Sequence, residues 1–130
     1  MRKHSLPAIA TALAACISLP AIAQNYPAKP IRLMVGFAPG GGTDIVARVL
    51  AQKLSETWGQ QVVVENRAGA TGTIAADFVA KSAPDGYTLL MGHVNSNAIA
   101  PTLFKKLPYD AVKDFASVTY VGYVPNVLTV

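Results

Sequence analysis

The chain is 130 residues long, 52% hydrophobic and only 14% charged, with a formal net charge of +4. That length holds no more than one ordinary domain, and that apolarity excludes a disordered chain. Beyond the first few residues Lys105-Lys106 is the only basic doublet, so neither nucleic acid nor a membrane surface is expected as a partner.

Met1-Arg2-Lys3-His4 is a basic start, residues 6–19 are mostly apolar, and Ala21-Ile22-Ala23 has the small-x-small pattern of a signal-peptidase site. Residues 1–23 therefore read as a secretory signal cleaved before Gln24. They are too short and too proline-interrupted for a membrane span, which needs ~20 apolar residues. Leu13-Ala14-Ala15-Cys16 offers an alternative, a lipoprotein box that would lipidate Cys16. With cleavage at Ala23 the mature chain has no cysteine, which excludes disulfides and thiol chemistry. Losing Arg2 and Lys3 leaves nine basic and seven acidic residues, a net +2 that mildly suits an anionic small ligand.

After a short polar leader at 24–30, expected extended on the surface, residues 31–37 read as a first strand, apolar on both faces except at Arg32. Near-continuous apolar strands alternating with helices indicate a parallel sheet covered on both sides. Pro39-Gly40-Gly41-Gly42 stops that strand, and a helix is predicted over 44–58, with Ile45, Val46, Val49, Leu50 and Leu54 as its buried stripe. Residues 61–66 are a second strand, and 67–72 a second glycine loop. A helix over 73–82 follows, buried through Ile74, Phe78 and Val79. Residues 87–92 are a third strand and 93–97 a polar loop. A short helix over 98–104 is limited by Pro101. An exposed connection spans 105–115, a fourth strand 116–123, and a last apolar stretch 127–130. The pattern is that of an α/β open parallel sheet. Ending in mid-strand, the chain reads as a truncated product.

Strand, glycine loop and helix N-terminus together form a recipe for holding an anion. Glycines admit close approach, and first-turn N–H groups lack intrahelical partners. The plain alternative is a tight turn, with Thr43 or Asp44 as no more than a helix cap. A carboxylate in the first turn repels an anion, so Asp44 is expected to brace the loop while Gly41, Gly42 and Thr43 present donors. Gly42-Thr43-Asp44 lacks the lysine of a Walker loop. A dinucleotide fingerprint fits at Gly40 and Gly42 but meets Ile45 at its sixth position, although Glu65 stands where a ribose-binding acid would. His93 and Ser96 share one short loop without a nucleophile elbow, and a single histidine gives no metal spacing. The residues alone point to an exported small-anion binding domain with no catalysis, cofactor or metal. A secreted α/β enzyme or a nucleotide-binding protein is the alternative.

Several ordered segments resemble one family. They are Tyr26-Pro27-Ala28-Lys29-Pro30-Ile31-Arg32, then the loop Phe37-Ala38-Pro39-Gly40-Gly41-Gly42-Thr43-Asp44-Ile45-Val46-Ala47-Arg48. Gln61-Val62-Val63-Val64-Glu65-Asn66-Arg67-Ala68-Gly69-Ala70-Thr71-Gly72 follows, then Ala83-Pro84-Asp85-Gly86-Tyr87-Thr88-Leu89-Leu90 and Lys106-Leu107-Pro108-Tyr109-Asp110. The family is the Bug (TctC-like) solute receptors of tripartite tricarboxylate transporters, and the resemblance covers residues 26–130.

It implies a periplasmic-binding-protein-like sheet, the first part of a two-domain hinged architecture that closes on a small organic carboxylate. It also implies a periplasmic monomer that delivers its ligand to membrane permease subunits. Residues 24–124 would be part of the first domain, and 125–130 the start of the crossover toward the second. By position, Phe37, Ala38, Gly41, Gly42, Thr43 and Asp44 belong to the first binding loop. Asn95, Ser96 and Asn97 match the polar segment after the third strand, with His93 adjacent. The family usually has proline where Ala38 and Ala68 stand, so both loops gain conformational freedom here. With one jaw of the clamp, this chain alone is expected to bind its ligand weakly or not at all.

Overall fold

The computed structural model describes residues 25–123. The signal reading of 1–23, Cys16 and the last apolar stretch lie outside those residues. Three strands, β1 (Ile31–Val35), β2 (Val62–Asn66) and β3 (Thr88–Met91), form a parallel sheet in the order β2-β1-β3. The open parallel α/β sheet expected from the alternation of elements is present. β1 is central, with Arg32 in register with Val63 on one side and Thr88 on the other. Central placement explains its composition, because Ile31, Met34 and Val35 are fully buried and Leu33 nearly so.

Helices α1 (Gly42–Trp58) and α2 (Thr73–Ala80) cover opposite faces. Ile31, Leu33 and Val35 point to α1, where they pack with Ala47, Ala51 and Val62. Arg32 points to the α2 face. Its guanidinium grips the Glu65 carboxylate through Nε at 2.6 Å and Nη2 at 2.8 Å, and lies 5.0 Å from the Phe78 ring. The single polar residue of the central strand is thus paired, and the pairing holds the Glu65 carboxyl below the usual carboxylate range.

The buried stripes differ from those read by apolarity. On α1 the buried residues against the sheet are Ala47 and Ala51; of the expected stripe Leu54 packs half-buried against the same core, while Ile45 and Val49 are 56% and 57% exposed. On α2 they are Thr73, Ala75 and Ala76, with Ile74 exposed. Small side chains let a helix backbone approach the sheet closely, and the larger ones are displaced to the flanks. Along one flank of α1, Val46, Leu50, Leu54 and Trp58 recur every fourth residue and line a groove beside β3.

Other boundaries also moved. α1 begins at Gly42, two residues earlier than expected, and a 3₁₀ turn, Ala70–Gly72, precedes α2. The expected polar loop at 93–97 is helical: Asn95–Ile99 is a π turn leading into α3 (Ala100–Leu103). Among the described residues the expected fourth strand over 116–123 has no ladder partner; it is irregular and mostly exposed. Its apolar pattern suits a strand, but a ladder of backbone hydrogen bonds is what makes one, and the outer edge of β3 carries none among the described residues. The connection before it is not wholly exposed, because Tyr109 is buried within it. Nor is the leader loose. Tyr26 stacks 5.1 Å from Tyr87 and donates its hydroxyl to the Gly86 carbonyl at 2.7 Å.

Candidate functional site

The loops after β1, β2 and β3 all leave the C-terminal edge of the sheet, the edge at which open α/β sheets bind ligands. Their convergence rests on glycine. A Cβ on Gly36 would sit 2.7 Å from the Gly72 Cα, so the first two loops touch through bare backbone. Gly72, at φ +90°, in turn abuts the Phe37 ring and Ser96 Cβ. Phe37 meets the His93 ring edge-on at 4.7 Å, which joins the first loop to the third.

The first loop is braced from below by Asp44. This residue is 2% exposed, and its Oδ2 accepts the Gly40 N–H at 2.9 Å and Arg48 Nε at 2.9 Å. Its Oδ1 accepts Asn66 Nδ2 at 2.8 Å. Reaching back from the third helical position to a donor before the helix is a variant of the capping box, displaced by one residue. The Arg48 guanidinium, the Gly40 N–H and the Asn66 amide together hold the Asp44 carboxyl well below the usual carboxylate range. The buried charge is fully engaged, so its repulsion toward the helix mouth is offset by Arg48.

With Gly41 as N-cap, the Ile45 N–H closes the first turn onto the Gly41 carbonyl at 2.9 Å. The N–H groups of Gly42, Thr43 and Asp44 have no acceptor among the described residues. That shifts the free donors one residue along from the expected Gly41 to Thr43, because the Gly41 N–H turns back toward the Ala38 carbonyl at 3.4 Å.

In the third loop the Asn95 N–H is 3.2 Å from His93 Nδ1, which therefore acts as an acceptor. Ser96 is 3% exposed; its hydroxyl is 2.6 Å from Asn97 Oδ1 and 3.2 Å from the His93 carbonyl. Gly42, Thr43, His93, Asn95 and Asn97 line one groove at the strand edge. Asp44 and Ser96 lie beneath it, Phe37 is half-buried against His93, and Ala38 and Gly41 are on the outer, exposed side of the loop.

Two contributors stand inside motifs quoted above that do not mark them as site residues. Asn66 bridges the Phe37 carbonyl, Asp44 and Arg48, and Tyr109 donates to the Ser96 carbonyl. The sequence signals for Asn66 are its place at the end of a strand and its membership of the 61–72 motif. Glu65, the residue set where a ribose-binding acid would stand, is taken up by Arg32. Among the described residues no cluster of three metal-ligating side chains occurs, and no helix is long and apolar enough to cross a membrane.

Residues 46–130 match the family model described as the tripartite tricarboxylate transporter family receptor. Protein BugT of Bordetella pertussis is 50% identical over 113 residues, which are 86% of this chain and 35% of that protein. Among solved structures, MatC from Rhodopseudomonas palustris with bound malate is 46% identical, with a TM-score of 0.66 over 69% of this chain and 31% of its own. A second R. palustris protein, solved with adipate, is 41% identical, with a TM-score of 0.64 over 66% of this chain and 29% of its own. The chain spans about a third of the length of the curated relatives it matches.

Proposed function

We propose, from the fact that this chain belongs to the tripartite tricarboxylate transporter receptor family, that it serves in the periplasm to capture a small organic carboxylate and pass it to membrane permease subunits. Binding, without chemistry on the ligand, is the activity. The observation that carries this reading is the set of N–H groups at Gly42, Thr43 and Asp44 with no acceptor among the described residues, the first two at the groove that Asn95 and Asn97 line. Aligned first-turn donors suit a carboxylate, and the two amides suit its second polar end. The malate and adipate held by the two relatives support the ligand class.

In this reading residues 1–23 direct export, 24–124 form part of the first domain, and 125–130 begin the passage toward a second. Phe37 and His93 wall the site, Asp44 and Ser96 brace it, and Ala38 and Gly41 shape the loop. The protein acts as a monomer. The absence of catalysis is supported by the engagement of the two best candidates. His93 Nδ1 accepts a backbone N–H, and the Ser96 hydroxyl faces Asn97 and a carbonyl rather than a base.

The test is amide chemical-shift mapping of the ¹⁵N-labelled chain with malate, adipate and citrate, each against its uncharged amide. Dose-dependent shifts at Gly42, Thr43, Asp44, Asn95 and Asn97 with the acids alone are expected. Equal responses to the amides, or acid-dependent shifts confined to residues away from the groove, would overturn the reading. Product appearing in the same tubes would replace it with an enzyme.

A further inference from the structure

We propose that Tyr109 is a positioning residue for the ligand-facing turn at 95–97, supplying the one hydrogen bond that the helix backbone there cannot make. This rests on the reading in which Asn95 and Asn97 meet the ligand.

Across the π turn Asn95–Ile99, the Ala100 N–H donates to the Asn95 carbonyl. The next donor in that register would be residue 101, on the Ser96 carbonyl, but residue 101 is proline and has no N–H. The Ser96 carbonyl belongs to a buried residue and would be left without a donor. Tyr109, 7% exposed, places its hydroxyl 2.7 Å from that oxygen.

The arm that carries Tyr109 is itself held. Asp110 Oδ1 accepts the N–H groups of Val112 and Lys113 at 2.9 and 3.0 Å, and Asp114 Oδ2 accepts the Asp110 N–H at 2.7 Å. The Phe115 ring stands edge-on behind Tyr109 at 5.8 Å. Burial, with Asp77 nearby, raises the Tyr109 pKa and keeps the phenol protonated as a donor. A chain of hydrogen bonds then runs from Tyr109 to the Ser96 backbone, and from the Ser96 hydroxyl to Asn97 Oδ1. Fixing Oδ1 leaves the Asn97 amide nitrogen as the free end at the groove. A segment thirteen residues along the chain thereby sets the pose of a groove-lining amide.

The test compares the chain with Tyr109→Phe and with Tyr109→Phe/Pro101→Ala. The single change keeps the ring and removes only the hydroxyl; the second change returns an N–H within reach of the Ser96 carbonyl. Malate affinity by shift titration should fall about tenfold in the single variant, the scale of one hydrogen bond to a buried carbonyl, and recover in the double variant. Hydrogen exchange at the Ala100 amide, read without ligand, should speed about tenfold and recover in the same pattern. Unchanged exchange in Tyr109→Phe overturns the proposal, as does a loss that Pro101→Ala leaves uncorrected. If the parent chain ignores malate, the exchange data still decide the role of Tyr109.

Discussion

Asn66 Nδ2 donates to Asp44 Oδ1 at 2.8 Å, and the same amide group lies 3.0 Å from the Phe37 carbonyl oxygen. Its Oδ1 accepts Arg48 Nη2 at 3.0 Å. One side chain at the end of β2 thus ties the first loop, the first turn of α1 and the sheet together. Replacing Asn66 by Leu should cost about 1–3 kcal/mol, because the Phe37 carbonyl and Asp44 lose a donor within a half-buried site. Urea unfolding checks this as a lower midpoint at constant slope. An unmoved midpoint would mean that water replaces the amide without loss.

Asp44 gives a pH signature. Its carboxyl titrates lower folded than unfolded, so the folded state holds fewer protons between the two values and gains stability as pH rises through that window. The contribution is complete above the ordinary carboxylate value of ~3.9 and is lost as pH falls below it toward the depressed folded value. Melting temperatures of the chain and of Asp44→Asn should therefore differ most near neutrality and converge in acid. A gap that widens on acidification would assign the opposite sign.

Glycines in the two conjoined loops should divide sharply. A methyl on Gly36 meets backbone of Gly72 at 2.7 Å, so Gly36→Ala should destabilise by about 1–3 kcal/mol. Nothing lies within 4 Å of a Cβ on Gly42, so Gly42→Ala should be neutral or slightly stabilising. Gly42→Val should also fold, yet blunt the malate response by crowding the mouth of the helix. Equal melting temperatures for Gly36→Ala and the parent chain would remove the case for backbone contact between the loops.

Helix α1 offers a test of packing against apolarity. Ala47 is fully buried against β1, so Ala47→Leu should overpack the interface and cost about 1–3 kcal/mol. Ile45→Gln, on the exposed flank, should stay within about 0.5 kcal/mol. The reverse order would restore the stripe suggested by hydrophobicity.

Much was legible in the chain itself. The apolarity of residues 31–35, broken only at Arg32, marked a strand covered on both faces, since few other strands tolerate it. The proline and glycines after it marked the loop, and the ordered motifs from Tyr26 to Asp110 marked the family. Asp44 was legible as a brace, because a carboxylate beside free N–H groups is worth more to the loop than to an anion.

Tertiary structure decided the rest. Periodicity reports which residues are apolar, whereas the distance at which helix and sheet can meet selects the small ones, Ala47, Ala51, Ala75 and Ala76. Asn66 meets Asp44 across 22 positions and Tyr109 meets Ser96 across 13, and no local pattern encodes such pairings. Pro101 is visible in the sequence, but that the Ser96 carbonyl of the π turn meets a tyrosine hydroxyl is visible only in the fold. Local chemistry named the loops and their donors. Only packing determined which side chains hold them in place, because a buried polar group must find its partner in space rather than in sequence.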